Sequence, residues 1–377
     1  MLTFFERQAV LRGDYEASSL RSIAQERSVP DFGFNPFHRQ GLLYKPFLDH
    51  ETPHSVRWPG GKLFAVCLTH DVDRVTEADC FQALRHIRTV LRSRPSLGGA
   101  ELAFQIGLAA RRFLLATWRA GRVDPLWCYE RWLEAEDRVG ARSTFFFFPD
   151  NVSLAHFSDL SYSFEDDIGF RGQKMTVAEF MRTLAKEGWE VGLHGSWHAA
   201  SSLPELKAQK TRVEKVIGQS VTSVRQHWLH YDIQTTPRVH ADAGFRFDST
   251  LGFNDNVGFR FGTSFPWPLT DRQTHAVLPV WEIPLIAQDT ALLNPLKGLR
   301  LDLETAFSYI MQLTDEVMRV GGVLTLSFHP ENIHPRRCPG WFELYERVLA
   351  ELKARDPWFA TICQVGEHCL QNAATHS

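Results

Sequence analysis

The chain has 377 residues, of which 44 % are apolar and 23 % charged. This is a globular composition, so fibrous repeats and general disorder are excluded. The length suits two domains or one barrel with additions. Forty-one Lys and Arg against 44 Asp and Glu give a net charge of -3, and a chain without excess positive charge is not expected to bind nucleic acid or anionic membranes.

The cysteines and the N-terminal residues predict the compartment. Six cysteines are scattered along the chain without a C-x-x-C pair, a pattern typical of reduced thiols in a cytosolic protein. Charged residues interrupt the first eighteen positions, where a signal peptide would need an apolar run. No stretch reaches the 18 or so apolar residues of a membrane-spanning helix. These features predict a cytoplasmic protein without a transmembrane segment.

Short apolar runs alternate with helical patterns along most of the chain. Helix starts are indicated by the capping-box pairs Thr176 with Glu179 and Ser202 with Glu205. Alternation of strands and helices predicts a parallel sheet with right-handed crossovers. Seven units favour a closed or nearly closed (β/α)7-type barrel of the α/β class, with an open doubly wound sheet as the alternative. The predicted strands cover residues 63–68, 143–148, 190–193, 223–226, 246–249, 280–285 and 323–328.

Two regions fall outside this alternation. Residues 1–60 are rich in proline and are interpreted as an N-terminal extension packed on the barrel, which occupies residues 61–377. An insertion at about residues 75–125, after the first strand, has helical periodicity. Between Arg74 and Arg122 the chain contains nine arginines and no lysine, so the insertion is either an amphipathic cap with a solvated face or a lid that meets an anionic substrate.

Polar residues lie at the carboxyl ends of the predicted strands. In barrels of this type the catalytic residues are found at these ends. They are Asp71 and Asp73 after the first strand, His194 and His198 after the third, Arg225 in the fourth, Asp248 in the fifth and His329 after the seventh. If these strand ends were polar only because they are exposed to solvent, Ser, Thr, Lys and Asn would be expected there instead of Asp, His and Arg. The pattern therefore indicates a site.

Two histidines four residues apart and one aspartate provide three metal ligands and leave a position open for water. The period of two along a strand directs Asp71 and Asp73 to the same side, so one carboxylate can bind the ion while the other handles a proton. A bound metal ion lowers the pKa of its water to roughly 7 and polarises a carbonyl oxygen. The pattern predicts a hydrolase.

Six blocks occur in the order found in one enzyme family: LTHDVD, STFFFFP, HGSWH, VRQHW, FDSTLGF and LSFHP. Across about residues 60–335 the chain resembles the NodB-homology polysaccharide deacetylases, metal-dependent carbohydrate esterases with a distorted (β/α) barrel. The resemblance implies one divalent metal ion, zinc in the first place, with cobalt, nickel and manganese as alternatives. The roles it implies are base for Asp71, metal ligands for Asp73, His194 and His198, orientation of the base for Arg225, general acid for His329 and tuning of that acid for Asp248.

The chain also departs from the family pattern. Val72 separates two aspartates that are commonly adjacent, so the roles of Asp71 and Asp73 can be exchanged. Gly195 replaces a Ser or Thr, and His227 and Trp228 replace Pro and Tyr. His227, Trp228 and Arg260 are predicted to bind substrate. The variant blocks resemble a bacterial subgroup associated with surface-glycan biosynthesis.

The predicted function is removal of an N-acyl group, acetyl in the first place, from an amino sugar in a nucleotide- or lipid-linked precursor of a surface glycan. A deformylase or a cyclic-amide hydrolase with the same site is one alternative, and a non-catalytic sugar-binding relative is another. Glu282 and Asp289 are expected to be structural. The sequence does not define the oligomeric state.

Overall fold

The computed structural model describes residues 44–50, 56–75, 129–149, 159–160, 162–296, 298–335 and 337–375, with a few isolated positions before residue 115. Most of the predicted extension at 1–60 and of the predicted insertion at 75–125 therefore lies outside the described residues, and both stay predictions.

All seven predicted strands are present in one sheet, with further strands that the sequence did not predict. The strands are β1 (Ala65–Val72), β2 (Thr144–Phe147), β3 (Asp167–Phe170), β4 (Gln173–Thr176), β5 (Glu190–Gly195), β6 (Ser223–Gln226), β7 (Phe247–Asp248), β8 (Trp267–Thr270), β9 (Val277–Glu282), β10 (Ala287–Gln288), β11 (Val323–Ser327) and β12 (Trp358–Phe359). The sheet order is β10-β11-β1-β2-β5-β6-β7-β9-β8, β12 pairs with β1, and β3 and β4 form a separate hairpin.

Within the main sheet only β8 and β9 pair antiparallel, as far as the described strands show. The predicted parallel α/β barrel is confirmed, in a form whose strand order ends at β10 and β8 without closing.

Arg225 shows how strongly the sheet curls. It lies on β6, three strands away from β1, a separation of roughly 14 Å across a flat sheet at about 4.8 Å per strand. Yet its guanidinium donates to Thr69 Oγ1 on β1 at 2.7 Å and to the Ser249 carbonyl after β7 at 2.7 Å. An arginine side chain spans this gap only if the sheet wraps around it, so Arg225 crosses the inside of the barrel.

The described residues form nine α-helices, two of which begin directly after the predicted Thr176 and Ser202. They are α1 (Phe47–His50), α2 (Tyr129–Val139), α3 (Val177–Lys186), α4 (Leu203–Ile217), α5 (Thr236–Asp242), α6 (Asp289–Leu293), α7 (Leu303–Val320), α8 (Trp341–Ala354) and α9 (Ile362–Thr375). The capping box of Thr176 and Glu179 is formed at α3. At α4 the predicted box is wrong: Ser202 makes no side-chain cap, and the Glu205 carboxylate accepts from the Ser196 hydroxyl.

The alternation along β2 divides its phenylalanines between two cores. Phe145 and Phe147 belong to the large core between the sheet and the helices. Phe146 faces the barrel interior, in a smaller core with Cys67 and Phe247. The sequence of such a strand is an unbroken apolar run because both faces of the strand are buried.

A buried carboxylate ties the outer core together. Glu136 of α2 is fully buried and accepts hydrogen bonds from Ser143, Trp189 and Tyr345 at 2.7 to 2.9 Å. It also pairs with His70 Nε2 at 2.7 Å. Because all these groups are buried, removal of the carboxylate would leave several of them without a partner.

The end of the barrel away from the predicted site is closed by the C-terminal residues. The Ile362 amide donates to Thr144 Oγ1 at 3.0 Å and the Cys363 amide to Glu190 at 2.8 Å, at the amino ends of β2 and β5. Further along α9, a Cβ at Gly366 would lie 2.2 Å from the Phe247 ring. The helix α9 therefore covers the amino ends of the strands.

Part of the N-terminal region packs on the barrel. Asp49 of α1 is buried and accepts from Thr263 Oγ1 at 2.6 Å and from the Ser264 amide at 2.7 Å. Among the described residues, no helix has the length and apolar composition needed to cross a membrane. The four described cysteines form no disulfide.

Candidate functional site

Three potential metal ligands converge at the carboxyl ends of β1, β5 and β6. Asp73 Oδ1 lies 3.4 Å from His194 Nε2, and Asp73 Oδ2 lies 3.8 Å from His227 Nε2. One ligand atom from each of the three residues lies within 4.8 Å of the others. At metal–ligand bonds of about 2.0 to 2.2 Å, two ligands of a tetrahedral ion stand roughly 3.4 Å apart. The carboxylate and the two imidazoles therefore fit one divalent ion.

His194 is oriented by its other ring nitrogen. Its Nδ1 donates to the Arg225 carbonyl at 2.9 Å, across the β5–β6 ladder in which the two residues are paired. This bond places the proton on Nδ1 and leaves the lone pair of Nε2 directed at Asp73, the arrangement found at metal-binding histidines.

His227 is brought to the cluster by a strained turn. It opens the 3₁₀ turn His227–Leu229, in which Trp228 and Leu229 have φ values of 61° and 49°. Such left-handed backbone is costly for residues other than glycine and is concentrated at functional sites. Asn254 donates to the Trp228 carbonyl at 2.7 Å, which helps to hold the turn. The His227 ring then lies 5.1 Å from the His194 ring.

His198, predicted as the third ligand, is not brought to this cluster. It is exposed on the 3₁₀ turn His198–Ala200. The backbone before it is fixed, because the Trp197 amide donates to Asp159 at 2.8 Å and the Ser196 amide donates to Gln209 at 3.1 Å. Spacing along the chain suggested His198, whereas the folded chain places His227, predicted as a substrate residue, beside Asp73 and His194.

Asp71 is buried beside Arg225. The guanidinium donates to Asp71 Oδ1 at 2.9 Å and lies 4.6 Å above the Phe146 ring. Burial raises the pKa of Asp71, but the charge of Arg225, with smaller contributions from His194 and His329, outweighs it and brings the pKa below its ordinary value. Asp71 is thus an ionised carboxylate next to the three potential ligands, as the predicted base should be.

His329, the predicted acid, also reaches the cluster. Its Nε2 lies 4.0 Å from Asp73 Oδ2, and its Nδ1 bonds Asp289 Oδ1 at 2.7 Å. Burial lowers the pKa of His329, but Asp289 and, less strongly, Asp73 and Glu331 raise it to about 10. The imidazole is therefore protonated at neutral pH and can donate a proton.

The carboxylate that holds His329 is Asp289, which the sequence analysis treated as structural. Asp289 is fully buried and also accepts from the His329 amide at 2.9 Å and from Asn332 at 2.8 Å. It directly follows the two-residue strand β10, which pairs with β11. A strand this short has no periodicity that a sequence pattern could show.

Asp248, predicted to tune the acid, lies on the other face of the sheet. It bonds His240 Nδ1 of α5 at 2.8 Å, whereas the following residue, Ser249, bonds Arg225 inside the barrel. Neighbouring residues of a strand point to opposite faces. Asp248 therefore faces the helices, and no described contact joins it to His329.

The other two predicted substrate residues lie differently. Trp228 is half-buried at the rim next to His227. Arg260 is only 7 % exposed, donates to the Gly252 carbonyl at 2.6 Å and lies 5.6 Å from the centre of the Phe253 ring. This placement favours a structural role for Arg260.

Comparisons with known proteins concern the fold. No protein-family model and no curated protein matches the chain. A solved structure assigned as a polysaccharide deacetylase from Mycobacterium smegmatis matches with a TM-score of 0.54 at 22 % identity, over 85 % of this chain and 96 % of that one. The chain has the fold of the polysaccharide deacetylases.

Two further structures support this assignment of the fold. One, assigned as a polysaccharide deacetylase from Pseudomonas aeruginosa PAO1, gives a TM-score of 0.51 at 16 % identity over 84 % of this chain and 94 % of that one. PuuE allantoinase also gives 0.51, at 14 % identity over 84 % of this chain and 93 % of that one. Structures named as deacetylases and one named as an allantoinase therefore share this fold.

Proposed function

We propose that the protein is a metal-dependent hydrolase that removes an acyl group from the nitrogen of an amino sugar. One observation carries the proposal: an ionised carboxylate, a protonated imidazole and a three-residue ligand set meet at one end of the barrel. The ligand set is Asp73, His194 and His227, and the ring of His329 comes within 4.0 Å of Asp73. These are the groups that hydrolysis of an amide requires.

Asp73, His194 and His227 would hold the ion. Zinc suits one carboxylate and two imidazoles, and cobalt, nickel or manganese are alternatives, since geometry and supply decide metal selectivity. When bound, the ion supplies a water of lowered pKa and polarises the amide carbonyl. In this assignment Asp73 is the ligand and Asp71 the base, and His198 has no role in metal binding.

Asp71 takes the proton from the attacking water. Its carboxylate must be ionised to do so, and the bond from Arg225 at 2.9 Å favours the ionised form. Arg225 is itself fixed by four further contacts to its neighbours, among them the hydroxyls of Thr69 and Ser249 at 2.7 and 2.8 Å. The base is therefore held in one orientation, which keeps it in place for proton transfer.

His329 donates a proton to the departing nitrogen. An amine leaves an amide only when it is protonated, so the acid must carry its proton at the working pH. The buried Asp289 provides this by bonding Nδ1 and favouring the charged ring. The Nε2 atom is then the proton donor on the side of Asp73.

The sugar part of the proposal is supported by the motif resemblance and by aromatic groups in the turns that follow His194 and His227. The Trp197 and His230 rings are stacked 3.6 Å apart, and Trp228 follows the His227 ligand. Flat rings of this kind stack on sugar faces. We extend the proposal to an N-acetylated amino sugar in a nucleotide- or lipid-linked precursor of a bacterial surface glycan, which rests on the resemblance of the sequence blocks.

A cyclic-amide hydrolase is the second candidate, because PuuE allantoinase has the same fold. An N-formyl sugar would also be cleaved by the same groups. These substrates differ in what the rim accepts and not in the chemistry at the ion.

The first test is zinc stoichiometry after dialysis against trace zinc. The wild-type protein is expected to bind about one equivalent, and Asp73→Ala and His227→Ala almost none. His198→Ala is the matched control and should bind as the wild type does. Loss of zinc in His198→Ala with retention in His227→Ala would reverse the ligand assignment. Absence of zinc in the wild type would overturn the metal-dependent proposal.

The second test is acyl release from N-acetyl and N-formyl amino sugars, with allantoin as the cyclic amide. Release from the N-acetyl sugars supports the proposal. Ring opening of allantoin alone would favour the second candidate. Zinc binding without release from any of them would favour a sugar-binding relative.

A further inference from the structure

The side chain of Gln226 fills the space that a side chain at Gly195 would need. The two residues are paired in register at the carboxyl ends of β5 and β6. A Cβ at position 195 would lie 2.3 Å from a terminal amide atom of Gln226. Real Cβ contacts are never that short, and Gln226 is fully buried. Glycine at 195 is therefore required for the Gln226 side chain to lie where it does.

The Gln226 amide joins the two strand ends. With its oxygen accepting from His240 Nε2 at 2.8 Å, its nitrogen donates to the carbonyls of Gly195 and Ser196, both at 3.2 Å. His240 is held in turn by Asp248 at 2.8 Å. The result is a buried chain of hydrogen bonds from Asp248 to the two peptide groups that follow His194.

We propose that Gln226 is the positioning residue that fixes His194 and His227 relative to each other, a role that rests on the proposed metal site. The β5–β6 ladder ends at the pair of Gly195 and Gln226, and beyond it the two chains enter separate 3₁₀ turns. Gln226 immediately precedes His227, and its amide binds the carbonyls immediately after His194. The Gln226 side chain thus joins the two strands by hydrogen bonds just beyond the end of their backbone ladder, next to both histidines.

The inference gives roles to Asp248 and His240 as well. Both lie outside the barrel interior and touch none of the proposed ligands. Their hydrogen bonds keep the Gln226 oxygen engaged, so that its nitrogen points at the carbonyls. Groups that orient metal ligands in this indirect way typically change metal affinity by about 10- to 100-fold when they are replaced.

The experiment is a Zn(II) titration of the full chain in competition with a chromophoric chelator, alongside thermal unfolding of the metal-free protein. Gln226→Met keeps the length of the side chain but cannot donate to the carbonyls and offers His240 only a weak sulfur acceptor. We expect its Zn(II) affinity to fall about 10- to 100-fold. Thr314→Ala, a buried polar truncation on α7 remote from the site, is the control and should keep the wild-type affinity.

A second pair of variants separates an effect on the position of the histidines from an effect on the stability of the fold. This pair also provides the test if Gln226→Met does not fold. Gly195→Ala places a methyl group against the amide and should lower both the unfolding temperature and the Zn(II) affinity. Adding Gln226→Ala to Gly195→Ala removes the clash. The unfolding temperature should then recover, while the Zn(II) affinity stays low because the amide is gone.

The outcomes are distinct. Wild-type Zn(II) affinity in Gln226→Met, or its recovery in the double variant, would overturn the positioning role and leave the proposed function intact. A wild-type protein that binds no Zn(II) would overturn both. Reduced affinity in Gln226→Met with normal affinity in Thr314→Ala supports the inference.

Discussion

Replacement of Asp289 by asparagine tests whether His329 is kept protonated by its buried neighbour. Burial lowers the pKa of His329, but Asp289, with Asp73 and Glu331, raises it from 6.5 to about 10. This rise corresponds to about 5 kcal/mol in favour of the protonated ring, at roughly 1.4 kcal/mol per pH unit. Asparagine keeps the shape and one acceptor oxygen but removes the charge. The pKa of His329 should then fall by at least one unit, because the charge of Asp289 no longer counteracts the lowering of this pKa by burial.

The loss has two measurable consequences. The alkaline limb of the rate profile for acyl release should move to lower pH in Asp289→Asn, because the acid loses its proton earlier. Stability should change as well. Since the folded-state pKa of His329 lies above the unfolded one, protonation stabilises the wild-type fold fully below about pH 6.5, and this stabilisation is lost as the pH rises through about 10. Urea unfolding of Asp289→Asn should show less of this pH dependence.

Asp248→Asn is the matched control, because Asp248 is also fully buried and also bonds a histidine Nδ1 at 2.8 Å. It should leave the pKa of His329 unchanged in a histidine NMR titration. An unchanged His329 pKa in Asp289→Asn, or an equal fall in both variants, would refute the assignment of Asp289 as the group that holds the proton on the acid.

Three further predictions concern the base and the core. Asp71→Asn should lower kcat by about 10²- to 10⁴-fold and retain zinc, so loss of zinc would make Asp71 a ligand. Arg225→Gln removes the charge beside Asp71 and should move the acid limb of the rate profile to higher pH, because burial raises the pKa of Asp71 and Arg225 is the main opposing charge; an unmoved limb would contradict this. Glu136→Ala should lower the free energy of unfolding, measured in urea, by about 3 to 5 kcal/mol. Replacement of the exposed Glu134 on the same helix by alanine should change it little. Equal effects of the two substitutions would contradict the stabilising role of Glu136.

The sequence predicted the parts of the fold that depend on local periodicity. The apolar run at residues 143–148 correctly predicted a strand, and the phenylalanines of this strand are buried on both of its faces. Thr176 and Glu179 predicted the start of α3 because a capping box involves only neighbours in the chain. These features require no knowledge of how distant segments meet.

The sequence-based site assignment and the structure differ where distant segments meet. His198 and His227 both follow strand ends, and only the turn backbone decides which ring faces Asp73. That turn has a positive φ at Trp228, and the sequence contains no glycine at this position that would indicate left-handed backbone. The resemblance of the sequence blocks linked Asp248 to His329, whereas the face on which Asp248 lies depends on the register of its strand with β6 and β9. Asp289 was missed because the strand before it has two residues.

The closed lower end of the barrel has a consequence for turnover. Arg225 lies over Phe146 across the interior, and the space beneath is filled by Cys67 and Phe247 and covered by α9. Through these described residues there is no passage along the barrel axis. In the proposed reaction, the substrate, the water and both products would share the mouth at the carboxyl ends of the strands. Release of the amine and the acid would then compete with entry of the next substrate, so the proposed function predicts inhibition by product.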